Sequence, residues 1–409
     1  MVKDLRDAVV IGGGPAGSSF ALELAKRGFD VAVFEEHPEV GVPSHCAGHL
    51  SIRSLRSLGL YPLPEGIVEN TFSAANFYSP MGTKFSVHLA KPVTCAVNRA
   101  RFDNFLAEEA KTAGADFHVN SRVQSLMLQD GLVRGMRVVK EGEGESQIAT
   151  KLVVDTEGIS SRLLRQSGLR ALDGNKLVYA VEAEVDCVHD MEEDSVEVYL
   201  GKNYAPGFYG WLIPKRDGSA KVGLATRKGN PKEFLDRLMF KHPVASRRLR
   251  NAKVKRMAFH AISLGGPIPK AYAEGFLAVG DCASQVKPTT GGGVIFSVTC
   301  ARIAAEVAAE ALKNADLSEN SLRQYQKSFT EAVGFDLGVM LKARQVLDGF
   351  SDENIERAVQ FASRVGLDEA LRDVDEIDFQ GRMILSLAKK PAAFATLAYL
   401  AALYLSTFS

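Results

Sequence analysis

The feature that most restricts this chain is a glycine turn, Gly12-Gly13-Gly14-Pro15-Ala16-Gly17, set directly after the apolar run Ala8-Val9-Val10-Ile11. In a G-x-G-x-x-G turn the first glycine makes the tight bend and the second lets backbone approach a ligand. The third lets helix and strand pack closely. Residues 7–11 read as a buried parallel strand, 18–27 as a helix and 30–35 as a second strand. That is one β-α-β unit in the order that gives a right-handed crossover. Glu35 ends the second strand eighteen residues after Gly17, where a carboxylate binds a ribose diol and disfavours a 2′-phosphate. Its neighbour Glu36 is grouped with it as a cofactor-binding residue. Together these features point to a dinucleotide whose phosphates rest on a helix N-terminus, with Gly12, Gly14, Pro15, Ala16 and Gly17 forming the cradle.

Two further segments indicate FAD rather than NAD. Residues 275–281 read as a strand ending in Gly280-Asp281, placing an acid where a ribityl chain would run. Pro288-Thr289-Thr290-Gly291-Gly292-Gly293 then opens a long Ala-rich helix at Val294. Its glycines allow backbone to lie against an isoalloxazine ring, and its dipole favours negative charge on reduced flavin. Asp155-Thr156-Glu157-Gly158, with Ser160 and Arg162, forms a third segment of this kind. Asn98-Arg99 with Phe102-Asp103 forms a fourth, with Arg99 reaching the cofactor.

The rest of the chain narrows the class. Lys+Arg and Asp+Glu each total 49 of 409 residues, so no net field favours nucleic acid. The five cysteines stand singly, without metal-ligand or disulfide spacing, which fits a reducing cytosol and no metal site. The apolar run at 8–11 is too short for a signal peptide. Helix is expected over 98–114, strands over 116–139 broken by Asp130-Gly131, a hairpin tip over 141–147, and a returning apolar strand over 152–155. Between 177 and 226 the apolar period changes to two, which implies an antiparallel sheet. From Leu322 onward the pattern is helical, interrupted at 352–354 and 366–368. The expected fold is α/β: a Rossmann-type FAD-binding domain, discontinuous over 1–65, 98–172 and 263–325. A substrate domain with an antiparallel sheet occupies 66–97 and 173–262, and a helical region follows over 326–409. After Lys389-Lys390-Pro391 the stretch 392–409 carries no charge and is apolar all round. It either packs on its own protein or touches lipid; it is at the short limit for a spanning helix.

The ordered set of residues 12–17, Glu35, Arg99, 155–162 and 280–293 resembles the para-hydroxybenzoate hydroxylase superfamily of flavoproteins. Two segments are similar to its geranylgeranyl reductases, especially the archaeal digeranylgeranylglycerophospholipid reductases. One is Val42-Pro43-Ser44-His45-Cys46-Ala47-Gly48. The other is Pro206-Gly207-Phe208-Tyr209-Gly210-Trp211-Leu212-Ile213-Pro214, close to a Tyr-x-Trp-x-Phe-Pro motif with Ile213 in place of Phe. Flavin halogenases carry a similar Trp-x-Trp-x-Ile-Pro segment, and Tyr209 replaces its first Trp. The resemblance covers about the first 320 residues. It implies that Cys46, Ala47 and Gly48 approach the flavin and that Tyr209, Trp211 and Pro214 bind substrate.

Residue chemistry accords with this. Tyr209 and Trp211, two apart, share a strand face and would wall an apolar isoprenoid channel, or else form plain inter-sheet core. Saturating an isolated C=C needs a hydride at one carbon and a proton at the other, closely coupled because no oxyanion forms. Cys46 is the expected catalytic group controlling that proton, with His45 as the second candidate; a small cysteine packed under the loop is the bland alternative. The resemblance implies a reductase of geranylgeranyl chains in lipid precursors, fed by NAD(P)H, ferredoxin or another small carrier. The scattered cysteines give a cytoplasmic place, and the uncharged tail, where it touches lipid rather than its own protein, gives peripheral contact at the inner face of the membrane. A flavin monooxygenase or a quinone-linked electron-transfer flavoprotein would share every FAD motif.

Overall fold

The computed structural model describes residues 5–407, so the last two residues of the expected apolar tail lie outside the described residues. The chain divides into two compact units, each assembled from three stretches.

The first unit comprises Met1–Ser44, Arg99–Lys176 and Ser263–Leu337. Its centre is a parallel array in which strand Arg6–Ile11 lies between Val31–Phe34 and the end of Gly144–Asp155; Asp116–His118 and Phe276–Ala278 flank these. All four residues of Val31–Phe34 are buried, as a strand covered on both faces must be. Helix Pro15–Ala25 packs against both Arg99–Thr112 and Val294–Lys313. The small faces Ala21 and Ala25 on one side and Ala301, Ala304, Ala305 and Ala308 on the other are buried, which permits close approach.

The strand break expected at Asp130-Gly131 is a hairpin, with both residues at positive φ (53° and 80°), the geometry of a two-residue hairpin turn. The expected tip over 141–147 is shorter. Strand Gly144–Asp155 is one twelve-residue element, pairing antiparallel with Leu132–Lys140 at its start and parallel with Arg6–Ile11 at its end. Its first half is polar because it is exposed, and that polarity reads as a loop in the sequence.

The second unit comprises His45–Asn98, Leu177–Ile262 and Gly338–Ser409. Residues 45–65 therefore differ from the expected boundary: strand His49–Ser51 pairs with Thr94–Val97, tying the segment to this unit. A seven-stranded sheet runs in the order Lys253–Ser263, Leu177–Asp186, Ala220–Thr226, Gly210–Pro214, Ser195–Tyr199, Ala74–Tyr78, Lys84–His88. From Leu177–Asp186 to Lys84–His88 it is antiparallel except where Ser195–Tyr199 runs parallel to Ala74–Tyr78. One face buries Val181, Ala183, Leu212, Val222 and Leu224 with Leu235 and Leu238 of helix Pro231–Lys241. On the other face Ile213 and Val196 pack with Phe72 and Ala96 of a small sheet, Val68–Phe72, Thr94–Val97 and His49–Ser51.

In the C-terminal stretch, Asp352 and Glu353 open helix Asp352–Arg364 instead of interrupting one; Ser351 caps it by accepting from the Asn354 N–H. The second expected interruption is a single left-handed residue, Gly366 at φ 68°. Helix Pro391–Leu405 rests on its own unit through Ala393, Thr396 and Leu403, with Tyr399 stacked on Phe361 at 4.1 Å. Its other side is bare: Phe394, Leu397 and Leu405 are 63, 37 and 70% exposed. Among the described residues no helix is long and apolar enough to cross a membrane.

Candidate flavin site and substrate sheet

In the first unit the glycine turn is built by exclusion. Gly12 sits at φ 95°, and a β carbon there would lie 2.7 Å from the Thr156 carbonyl oxygen. A β carbon at Gly17 would overlap the Gly12 carbonyl itself. Gly14 has nothing within 4 Å of its β position, so the second glycine opens onto free space at the helix N-terminus. That terminus has no side-chain cap and no acid in its first turn. An uncapped, uncontested positive helix end beside open backbone is what a pyrophosphate requires. Thr156, which the sequence offered only as part of a segment, is the clasp: its hydroxyl donates to the Ile11 and Gly12 carbonyls at 2.6 and 3.0 Å.

Glu35, the expected ribose acid, accepts from the Gly13 N–H at 2.7 Å and from the His37 N–H at 3.0 Å. Glu36 instead points outward and pairs with Arg122 at 3.4 Å, half-exposed. Asp155 is fully enclosed; one oxygen accepts from the Glu157 N–H and the other has no hydrogen-bond partner. Burial, reinforced by Glu157, holds its carboxyl well above the usual range. Gly158 is left-handed with open space around it. Arg99 forms a two-bonded pair with Asp103, 3.0 and 2.9 Å, one helical turn on.

At the other motif, Gly280 takes φ 83° and its N–H donates to Gln285, which in turn donates to Tyr325 at 2.7 Å. A β carbon at Gly293 would stand 2.7 Å from an Asp281 carboxylate oxygen, and one at Gly292 would press on the Lys287 side chain at 2.6 Å. Burial raises the Asp281 pKa and the positive charge of Arg99 offsets part of that rise. Helix Val294–Lys313 starts at Gly293 without a side-chain cap, a second open helix end. Two glycine-opened helix ends, a ribose acid and a buried acid beside the second end fit the adenine-nucleotide and flavin portions of FAD.

The residues expected to bind substrate lie on the seven-stranded sheet of the second unit. Trp211 projects onto the face shared with Ile213. Its indole rests over Gly223, where a β carbon would come within 2.5 Å of the ring, and its N–H donates to Glu182 at 3.1 Å. Tyr209 meets it edge-on at 6.1 Å and stacks on Phe208 at 4.3 Å. Pro214 alternates to the opposite side, and its carbonyl accepts from Asn70 at 3.0 Å at the hairpin end. The Cys46 thiol is partly exposed and unoxidised, and His45 stacks on His260 at 3.9 Å.

The residues missed by the sequence reading lie beneath this loop. Lys221, buried, donates to the Ala47 carbonyl at 3.1 Å, the Val97 carbonyl at 3.1 Å and Glu69 at 2.6 Å. Lys215 joins Glu69 to Glu184. Burial pushes Glu182 up to about 7, with Lys221 and the indole N–H pulling the other way. By contrast, burial alone pushes the Cys95 thiol up to about 12, away from its nucleophilic thiolate form.

This cradle defines an FAD-binding flavoprotein, and residues 6–332 match the family model described as FAD binding domain. The relatives narrow the class. The chain is 34% identical to digeranylgeranylglycerophospholipid reductase 2 of Methanothermobacter thermautotrophicus, over 86% of this chain and 90% of that protein. The crystal structure of a geranylgeranyl bacteriochlorophyll reductase-like protein from Thermoplasma acidophilum superposes with a TM-score of 0.85 at 27% identity, covering 97% of this chain and 99% of that one. A myxobacterial chondrochloren halogenase shares the fold alone, with a TM-score of 0.69 at 18% identity over 96% of this chain and 97% of its own. The chain belongs to the geranylgeranyl reductase family of FAD-dependent oxidoreductases.

Proposed function

We infer that this protein is an FAD-dependent reductase that saturates the C=C bonds of geranylgeranyl chains in membrane-lipid precursors. The observation that carries this reading is the combination of an intact flavin cradle with similarity, over 86% of the chain, to a protein named digeranylgeranylglycerophospholipid reductase. The halogenase shares only the fold, so it lends the chemistry no support.

Within that reading, Gly12, Gly14, Pro15, Ala16 and Gly17 hold the pyrophosphate and Glu35 serves the adenosine side, while Glu36, expected to join it, is turned outward to Arg122. Arg99, Asp155, Gly158, Gly280, Asp281, Gly292, Gly293 and Val294 serve the ribityl and flavin side. When bound and reduced, the flavin supplies a hydride to one alkene carbon. The chain supplies the proton to the other carbon. Cys46 is the proposed donor: its S–H bond breaks as the new C–H bond forms, and the thiolate is reprotonated from solvent. His45, with Ala47 and Gly48, completes that loop. Tyr209 and Trp211 form an apolar wall that orients the chain and excludes water.

The electrons come from an outside carrier, whether NAD(P)H, ferredoxin or another small donor. The bare face of helix Pro391–Leu405, with Lys389 and Lys390 at its start, suits peripheral contact with a lipid surface from which the substrate is collected.

Anaerobic incubation with dithionite and a geranylgeranylated phospholipid, followed by mass spectrometry, tests the function. The expected result is a gain of about two mass units per saturated bond. Unchanged lipid with full flavin occupancy overturns it. A gain of one oxygen under air indicates the monooxygenase chemistry instead. Cys46→Ser should retain flavin while losing at least about tenfold in turnover, within the range for a general acid; wild-type turnover removes Cys46 from the mechanism.

A further inference from the structure

The aromatic row on the substrate sheet does not end at Tyr209. Tyr209 stacks on Phe208, and the Arg344 guanidinium lies 6.0 Å from the centre of the Phe208 ring. Arg344 is only 6% exposed. It pairs with Asp348, one helical turn on, at 2.9 Å, and the same carboxylate takes Arg227 at 2.8 Å. Gly207, at φ 86°, lets the preceding loop run against Arg227, where a β carbon would stand 2.9 Å from the Arg227 side chain. The local sum is two guanidiniums and one carboxylate.

Such a cluster is incompletely neutralised. The Arg227 and Arg344 Nε–H groups are buried without a hydrogen-bond partner. Burial lowers the Arg344 pKa; Asp348 opposes that, and the second positive charge of Arg227 lowers it further. A buried cation held against a like charge, with donors unspent, is unfavourable unless an anion completes it. Paired guanidiniums match phosphate oxygens through two-bonded contacts. Arg344 is sequestered, whereas Arg227 is partly exposed and is the arm open to a ligand.

We propose that Arg227, held by Asp348 and Arg344 at the end of the Trp211–Tyr209–Phe208 row, binds the phosphate of the lipid substrate's head group. This rests on the lipid-reductase reading and extends it: the aromatic row takes the apolar chain and the guanidinium pair takes the charged end. Asp348 is a counter-ion that limits the strength of the grip.

The test uses the FAD-loaded full chain and two probes, a digeranylgeranylglycerol diether carrying a phosphate ester and the same diether without phosphate. Binding is read from the fluorescence of Trp211, the only tryptophan in the chain, so the answer does not depend on turnover. Wild type should bind the phosphate lipid at least about tenfold more tightly than the bare diether, and Arg227→Gln should abolish that preference while leaving bare-diether binding unchanged. Asp348→Asn should move the other way, strengthening phosphate-lipid binding. Equal wild-type binding of the two probes overturns the proposal. So does an equal loss on both probes in both variants, which would mark the cluster as purely structural. If the phosphate preference is present but neither lipid is reduced, the reductase reading fails while the anion site stands.

Discussion

Replacing Lys221 with Met removes the buried cation that ties Glu69 to the Ala47 and Val97 carbonyls. The side chain is 8% exposed, and its ammonium holds Glu69 at 2.6 Å and the Ala47 and Val97 carbonyls at 3.1 Å each. Met keeps most of the stem volume, so packing is nearly conserved and the loss is electrostatic. Removing one partner of a buried ion pair costs about 3–5 kcal/mol, because the other charge stays desolvated. Lys215, 3.3 Å from Glu69, retains part of the neutralisation, which favours the lower end. The two carbonyls lose a charged donor, and the pair together would add about 1–2 kcal/mol if no water replaces it. The expected destabilisation is about 4 kcal/mol.

Equilibrium unfolding in urea, followed by the emission of Trp211, reports this unit specifically, because the indole packs in the same cluster as Ala47. Lys221→Arg should recover about half of the loss. Glu69→Gln combined with Lys221→Met should be more stable than Lys221→Met alone, since no bare carboxylate remains. A loss below about 1 kcal/mol in Lys221→Met, within the range of an exposed ion pair, would refute the reasoning.

Two further outcomes follow from the geometry. Gly17→Ala places a methyl group on the Gly12 carbonyl and 2.7 Å from the Thr156 hydroxyl, so it should yield colourless protein; a wild-type ratio of flavin to protein absorbance would count against the cradle. Glu182 has a folded pKa near 7 against an ordinary 4.5, so it favours the folded state at low pH and loses that contribution as pH rises from about 4.5 to about 7. The drop is at most about 3 kcal/mol, at 1.36 kcal/mol per unit. Glu182→Gln should flatten stability across that window; identical pH profiles for variant and wild type would show the carboxyl is not desolvated.

The flavin cradle was readable in the chain because its determinants are local. A turn that admits no β carbon at Gly12 or Gly17, a helix beginning two residues after Gly13 and an acid closing the next strand all fall within thirty residues. The alternation that marks residues 177–226 as sheet is equally local. Strand Gly144–Asp155 was misread because its exposed half lacks the apolar period by which strands are recognised. Residues 45–65 were misassigned because their allegiance is set by pairing with residues 94–97, a partner that period and turn chemistry do not name.

What the sequence determined by itself is therefore most of the elements and the two glycine turns that keep helix ends open for a cofactor, since steric exclusion and helix-end dipoles act within a few residues. What only the tertiary structure decided is which charges are buried. Lys221 alternates with apolar neighbours as on any solvent-facing strand edge, yet it is buried where this face lies under a second small sheet. Arg227 and Arg344 are more than a hundred residues apart and share one carboxylate. Desolvation and charge pairing depend on distance in space rather than along the chain, so folding had to bring these groups together before their chemistry could be read.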